Sequence, residues 1–200
     1  MQFTTFALAA LSMGSTIAAP ALGLVSFDNA LAYTGNVKTI VEEQVTKITT
    51  VFSGTPAENA VTQVQGSLLI IGQNVNGLVG PLVALGNDAT TPLTQGQLAS
   101  VPQLVSDCQA IVSGIKTIGK TVVGGLSEDG LNQVQPELQW VLSAAGPVVR
   151  PVVAFTTTNV PGSTAVLQKV NGAVGKLQDT ANSLIVPVNG LLGGLLGGLL

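Results

Sequence analysis

The stretch that decides the fold is VTQVQGSLLIIGQNVNGLVGPLVAL, residues 61–85. Its apolar side chains recur in steps of three and four, at Val61, Val64, Leu68, Ile71, Val75, Leu78, Leu82 and Leu85. That spacing returns a side chain to one side of an α-helix, whereas a strand would need alternation by two. Thr55, Pro56 and Glu58 form a capping box before the stretch, and Gly86 follows it as a stop. A single apolar stripe cannot remain in water, so partner helices are expected.

Four further segments carry the same spacing. They predict helices from Asp28 to Phe52, from Thr94 to Val122, from Ser127 to a break near Gly146, and from Leu167 to Leu184. Thr94 and Gln97 are predicted to form a capping box at the start of the second of these. Within the helix of residues 61–85, Pro81 is expected to kink or split the backbone. The sequence therefore predicts an all-α fold, a mainly antiparallel bundle of about five helices joined by short connections.

The chain divides into three predicted regions. Residues 1–18 are typical of a secretory signal peptide, with a short apolar core and small residues before a cut after Ala18. The alternative, a membrane anchor, would need an apolar run of about 20 residues. Residues 19–186 are predicted to form the bundle, with a loop at Thr156–Thr158, and residues 187–200 an apolar Gly-Leu tail. No membrane-spanning helix is expected after the signal peptide.

Composition excludes several classes of function. Hydrophobic residues make up 46% of the chain and charged residues 8%, and the net charge is −3. The seven Lys and Arg residues are scattered, so no basic patch for nucleic acid is expected. With no histidine and one cysteine, the chain has no His-based triad, no His-ligated zinc site and no intrachain disulfide. We expect neither a metal nor another cofactor.

One segment matches a nucleotide-binding motif letter for letter. Residues 114–121, GIKTIGKT, fit the phosphate-loop pattern of two glycines followed by Lys-Thr. The motif works only between a strand and a helix, where its backbone N–H groups wrap phosphate. Here the helical stripe runs through it at Ile115 and Ile118. The segment is therefore interpreted as a helix face, and no nucleotide partner is expected.

The other chemically suggestive residues have structural interpretations. Cys108 lies on an apolar stripe beside the negative Asp107, which favours a buried core residue over a reactive thiol. The pairs Glu42–Glu43 and Glu128–Asp129 are adjacent in helices, where neighbours do not face each other, so they are expected to be solvated. Trp140 is expected to pack at the edge of the bundle. These residues do not form a recognisable catalytic group, so the protein is predicted not to be an enzyme.

Glycines inside the predicted helices are the main anomaly, because each is about 0.8–1 kcal/mol less favourable there than alanine. Two explanations are open: loose selection on a secreted surface protein, or room between helices for an apolar guest. The residues expected to line such room are Leu68, Ile71, Val75, Leu104, Ile111, Ile115 and Val141. The cations expected near the headgroup of a lipid guest are Lys116, Lys120 and Arg150.

Several of these features together resemble a known family. They are a signal ending Ala18-Ala19-Pro20, a helical body rich in Val, Leu, Thr and Gln, the Thr55-Pro56-Ala57-Glu58 helix entry, and a single cysteine. The arrangement over residues 20–186 resembles the fungal hydrophobic surface binding protein A family, which includes cell-wall galactomannoproteins. The glycine content and the Gly-Gly-Leu-Leu tail depart from it. The resemblance implies a secreted helical protein without catalytic residues that adsorbs to apolar surfaces, as well as relatives that hold fatty acids between helices.

The function predicted from these observations is that of a secreted, non-catalytic cell-wall or surface protein. Its expected partners are hydrophobic surfaces or fatty-acid-like lipids, with cell-wall polysaccharide as a further candidate. One alternative is a GPI-anchored structural wall protein, with residues 171–173, Asn-Gly-Ala, as the attachment site. A second alternative is a secreted enzyme of unknown type.

Overall fold

The computed structural model describes residues 26–53, 59–87 and 92–160, together with four single positions between 172 and 179. Within these residues the protein is all-α and has no strand, which confirms the predicted fold class. The helices are α1 (Phe27–Val51), α2 (Ala60–Asn87), α3 (Gln95–Gly125), α4 (Glu128–Ser143) and α5 (Ala145–Asn159).

Several sequence predictions fall on residues outside that description. They are the signal peptide at 1–18, the capping box at 55–58, nearly all of the helix at 167–184, and the tail at 187–200. These predictions stay untested.

Side-chain caps begin three of the helices. Ser26 accepts a hydrogen bond from the N–H of Asn29 at the start of α1, and Ser127 accepts one from Gly130 at the start of α4. At α3, Thr94 and Gln97 form both hydrogen bonds of a capping box, at 3.3 and 3.0 Å, as the sequence predicts. These bonds satisfy backbone N–H groups that have no partner inside the helix.

Two sequence predictions about helix ends are wrong. The predicted split at Pro81 does not occur: α2 runs unbroken through this residue, which is buried in the bundle, so packing compensates for the lost backbone hydrogen bond. The segment Thr156–Thr158 belongs to the last turn of α5 rather than to a loop. There the Thr156 hydroxyl donates to the carbonyl of Val153 at 2.9 Å, and Phe155 is buried. The predicted break near Gly146 occurs two residues earlier, at Ala144, where α4 ends and α5 begins.

Contacts between helices give their relative directions. Residues 38 and 41 of α1 contact residues 107 and 114 of α3, so these two helices run parallel. Residues 65 and 72 of α2 contact residues 137 and 140 of α4, so this pair is also parallel. In contrast, Tyr33 near the start of α1 meets Gly77 in the second half of α2, so α1 and α2 are antiparallel.

The five helices therefore form a ring of four sides, in the order α1, α2, α4 with α5, and α3. The helices α1 to α4 alternate in direction, as expected of an up-and-down bundle, and α5 continues along α2 in the direction of α4. The prediction of mainly antiparallel contacts is wrong for two of the four sides, because α2 and α3 follow each other in the sequence but are not neighbours in the ring. The helices α2 and α3 consequently lie on opposite corners.

The core of the bundle is almost entirely aliphatic. Seven of the eight stripe residues quoted from α2 are buried, all except Val61, which is partly buried. The rings of Phe27 in α1 and Phe155 in α5 are buried in this core and stack with their centroids 5.8 Å apart. The 3–4 spacing thus identifies the buried side of α2 correctly.

Several of the glycines inside helices make room for a neighbouring side chain. A Cβ atom on Gly72 would lie 2.4 Å from two ring carbons of Trp140, and one on Gly114 would lie 2.6 Å from Val41. Gly125 gives the same close approach to the Phe52 ring. Such distances are shorter than van der Waals contact, so a larger residue would force the helices apart. At these positions the space is filled by the protein itself and not by a guest.

Two helical segments are long and apolar enough to cross a membrane by length and composition alone. They are Ala60–Asn87, with mean hydropathy 1.6, and Glu128–Asn159, with mean hydropathy 1.3. The sequence prediction was that no helix spans a membrane; these two segments meet the criterion of length and composition, and both are part of the bundle. In the bundle, 44% and 50% of the two apolar windows are buried.

Candidate functional site

The outward side of α2 is unusual because the helix has no charged residue over its 28 positions. A surface helix normally places charged side chains on its solvent side. Here the exposed line consists of small, amide and aliphatic residues: Thr62, Gly66, Leu69, Gln73, Asn76, Gly80, Val83 and Asn87. At 1.5 Å per residue this line is about 40 Å long.

Large apolar side chains lie on or beside this line. Leu69 and Ile70 are each 40% exposed and Val83 is 43% exposed. Trp140 of α4 is 37% exposed, and its ring packs on Gly72, one helical turn from Leu69. This position confirms the predicted packing of Trp140 at the bundle edge. We call the exposed line of α2, together with Ile70 and Trp140, the α2 face.

Exposed glycines interrupt the side chains of the α2 face. Nothing lies within 4 Å of where a Cβ on Gly66 or Gly80 would be, so these glycines, unlike Gly72, seat no neighbour. They leave gaps between the exposed side chains of the line. An uncharged, partly apolar strip without protruding charged groups can approach a flat surface closely, because no ion has to lose its water.

The residues predicted to line a lipid site all lie in the core. Leu68, Ile71, Val75, Leu104, Ile111, Ile115 and Val141 each have 0% exposure and belong to one buried cluster. The structure therefore brings them together, but as mutually packed side chains. A guest among them would have to part the helices.

The predicted headgroup cations are on the surface. Lys116 is half-buried and Lys120 exposed, one turn apart on α3, whereas exposed Arg150 lies on a different helix, α5. Within the part of the chain that the structure describes, none of the three forms an ion pair. The phosphate-loop match at residues 114–121, which includes both lysines, is continuous helix, as the sequence analysis predicts.

A polar cluster between α1 and α3 was missed by sequence reasoning. The Asp107 side chain is 6% exposed, and it pairs with Lys38 at 3.3 Å and accepts a hydrogen bond from Gln103 at 2.9 Å. Asp107 follows stripe residue Leu104 by three positions, which was the available indication that it faces the neighbouring helix. The Asp107 carboxylate already has an ion-pair partner in Lys38 and a hydrogen-bond donor in Gln103. This cluster therefore joins α1 to α3 and offers no open site.

Cys108 is buried beside that cluster, as predicted. Burial raises the pKa of the Cys108 thiol far above its ordinary value, and the negative charge of Asp107 raises it further. The thiolate is the reactive form, so this cysteine is protected both by enclosure and by protonation.

We expect Cys108 to be unreactive in the folded protein. At pH 8, a thiol reagent such as dithionitrobenzoate should modify less than about a tenth of the protein within an hour, and all of it in guanidinium chloride. Absorbance of the released thionitrobenzoate measures the extent. Rapid stoichiometric modification without denaturant would contradict the buried position.

A groove lies between the second half of α1 and the first half of α2. Its volume is about 650 Å³. Most of its lining surface is apolar, although six of the ten lining residues carry an amide or a hydroxyl group: Gln44, Thr46, Thr50, Thr62, Gln63 and Ser67. The rest is the ammonium of Lys47 and the small apolar group of Val51, Gly66 and Ile70. The groove shares Thr62, Gly66 and Ile70 with the α2 face, so the two features adjoin.

Groups suited to catalysis are sparse in the described ranges. Glu42, Glu43, Glu128 and Asp129 are exposed, as predicted. In those ranges no three His, Cys, Asp or Glu residues come together in a way that could hold a metal ion.

No protein-family model, curated protein or solved structure matches the chain.

Proposed function

We propose that this protein is a secreted, non-catalytic surface or cell-wall protein that adsorbs to hydrophobic surfaces through the α2 face. The observation that carries the proposal is the absence of charge along the exposed side of a 28-residue helix. The signal-like residues 1–18 and the resemblance described above support secretion.

The energetics of adsorption favour this face. Covering a side chain such as Leu69, Val83 or Trp140, each about 40% exposed, yields about 1–2 kcal/mol at 25 cal/mol per Å². Because α2 carries no ion, no charged group on the face must be desolvated in exchange. Several such contacts made together give durable attachment to an apolar surface.

Fatty-acid-like lipids belong to the same proposal as alternative partners. The seven core residues predicted to line a lipid site are close-packed, so an acyl chain would need an opened bundle or a place on the surface. Cell-wall polysaccharide is a further partner within the proposal. The GPI-anchored alternative depends on residues 171–173, of which only Gly172 is described.

Adsorption of the secreted full chain to octyl-coated and bare silica particles tests the proposed function. We expect saturable binding to the octyl surface that persists in 1 M salt, about ten times the amount held by bare silica, since apolar attachment is not screened by salt. Binding only to bare silica, or binding lost in salt, would contradict it. Lipid extraction of the same preparation, followed by mass spectrometry, tests for a copurifying fatty acid.

A further inference from the structure

The exposed line of α2 has the spacing of a contact between paired helices. From Thr62 to Asn87 it advances in alternating steps of four and three residues, and all eight of its positions are exposed. A repeat of 3.5 residues keeps one side of a helix facing a partner helix along its whole length. The buried stripe of α2 uses this spacing for contacts inside the bundle. The exposed line repeats it on the outward side of the same helix.

The order of side chains along the line is self-complementary. Gly66 and Val83 are the second positions counted from its two ends. Leu69 and Gly80 are the third positions counted in the same way. The line therefore has an apolar side chain wherever its reversed copy has a glycine.

A second copy of α2 in the opposite direction would use this order. When two antiparallel copies are related by a two-fold axis, each position lies opposite its counterpart counted from the other end. Leu69 and Val83 of each copy then face the glycines of the other, Gly80 and Gly66. Nothing lies within 4 Å of where a Cβ on either glycine would be, so both gaps are open. Insertion of a side chain into a gap on the facing helix is the packing that joins paired helices.

The polar positions fit the same arrangement. Gln73 and Asn76, the two central positions, lie opposite each other, and an amide can both donate to and accept from another amide. A shifted register would place these amides against apolar side chains, so they favour one alignment. Since α2 carries no charge, the two negatively charged chains bring no like charges of this helix together.

The size of the contact sets its expected strength. A strip about 40 Å long and about 10 Å wide covers about 400 Å² on each copy, or about 800 Å² in total. Stable protein complexes bury about 1,200–2,000 Å². The association should therefore be reversible and of micromolar strength.

We propose that the α2 face binds the α2 face of a second copy of this chain, forming an antiparallel, two-fold symmetric dimer. The consequence for adsorption rests on the proposed function: the dimer covers the adsorbing face, so the monomer is the form that attaches to a surface. Self-association would then keep the face out of water at high concentration and release it on dilution.

Sedimentation equilibrium of the full chain, from about 1 to 500 µM, tests the dimer. The wild type should change from monomer to dimer with a Kd of about 10–200 µM. The double variant Leu69→Glu, Val83→Glu should remain monomeric throughout, because each carboxylate would lose its water at the contact. Val123→Glu, an equally exposed position on the opposite corner of the bundle, should leave the Kd within about twofold.

Two cysteine variants test the antiparallel alignment. Leu69→Cys and Gly80→Cys, mixed at about 200 µM and oxidised, should form a disulfide between unlike chains, identified by mass spectrometry. Leu69→Cys alone should form at least about fivefold less, because position 69 of the second copy lies opposite position 80, about 16 Å further along the helix. The native Cys108 is buried and should not contribute.

Three results would overturn the proposal. One is a monomer at every concentration up to about 500 µM. Another is a dimer that the double variant retains, or a disulfide formed as readily by Leu69→Cys alone as by the mixture. The third is slow modification of Leu69→Cys by a thiol reagent at about 1 µM, which would show that another segment of the same chain covers the face.

Adsorption to octyl silica at about 1 µM separates this test from that of the proposed function. A wild type that adsorbs but never dimerises contradicts the dimer alone. A wild type that dimerises as described but does not adsorb supports the dimer and contradicts the proposed function.

Discussion

The variant carrying both Leu69→Glu and Val83→Glu should adsorb to octyl-coated silica at least about tenfold less strongly than the wild type, a difference of 1.4 kcal/mol or more. Each substitution replaces an exposed apolar side chain on the α2 face with a carboxylate that must keep its water. Both positions are about 40% exposed on a regular helix, so the fold should be retained. Depletion of protein from solution, measured over a range of concentrations, gives the affinity.

The matched control lies on the opposite corner of the bundle. Val123 of α3 is 38% exposed, close to the 43% of Val83, and α3 is diagonal to α2. Val123→Glu makes the same chemical change, yet should leave adsorption within about twofold of the wild type, whereas Val83→Glu alone should lower it severalfold. If the two single variants behaved alike, net charge and not the α2 face would govern adsorption.

The largest effect on folding is expected for Gly72→Leu. A Cβ atom at this buried position would lie 2.4 Å from two ring carbons of Trp140, so the indole must leave its place against α2. Overpacking of this kind lowers the free energy of unfolding by about 1–3 kcal/mol. Chemical denaturation measures it, and a red shift of Trp140 emission should accompany it as the ring becomes more exposed.

Two further variants separate the clash from a general effect of replacing glycine. Gly80→Leu, on the same helix with open space around it, should raise stability by about 0.5–1 kcal/mol through helix propensity. Combining Gly72→Leu with Trp140→Ala should destabilise the protein by less than the sum of the two single changes. The reason is that Trp140→Ala removes the indole ring with which the leucine at position 72 would clash. Strict additivity would show that the Gly72–Trp140 contact does not govern the site.

The sequence predicted the local structure well, because helix formation and burial are periodic properties. The stripe of residues 61–85, the capping box at Thr94 and the interior position of Cys108 each follow from a few neighbouring residues. Pro81 misled the prediction because its effect on the helix depends on what packs around it.

The arrangement of helices and sites could not be predicted in the same way. Which helices run parallel depends on whether α2 and α3 are neighbours or lie on opposite corners of the bundle. The 3–4 spacing of apolar residues gives no information about that. The glycines were ambiguous because their neighbours, such as Trp140 at Gly72, are distant in sequence. The lack of charge over residues 60–87 was visible and could have identified the α2 face.

Fluorescence of Trp140 gives the most direct test that the α2 face contacts the surface. It is the single tryptophan of the chain, is 37% exposed, and belongs to that face, where its ring packs on Gly72. Emission and acrylamide quenching would be compared for protein free in solution and fully adsorbed on octyl silica. We predict a blue shift and a quenching constant at least about twofold lower on adsorption, because the surface excludes water and quencher from the exposed part of the ring. Complete adsorption with unchanged emission and quenching would contradict the account.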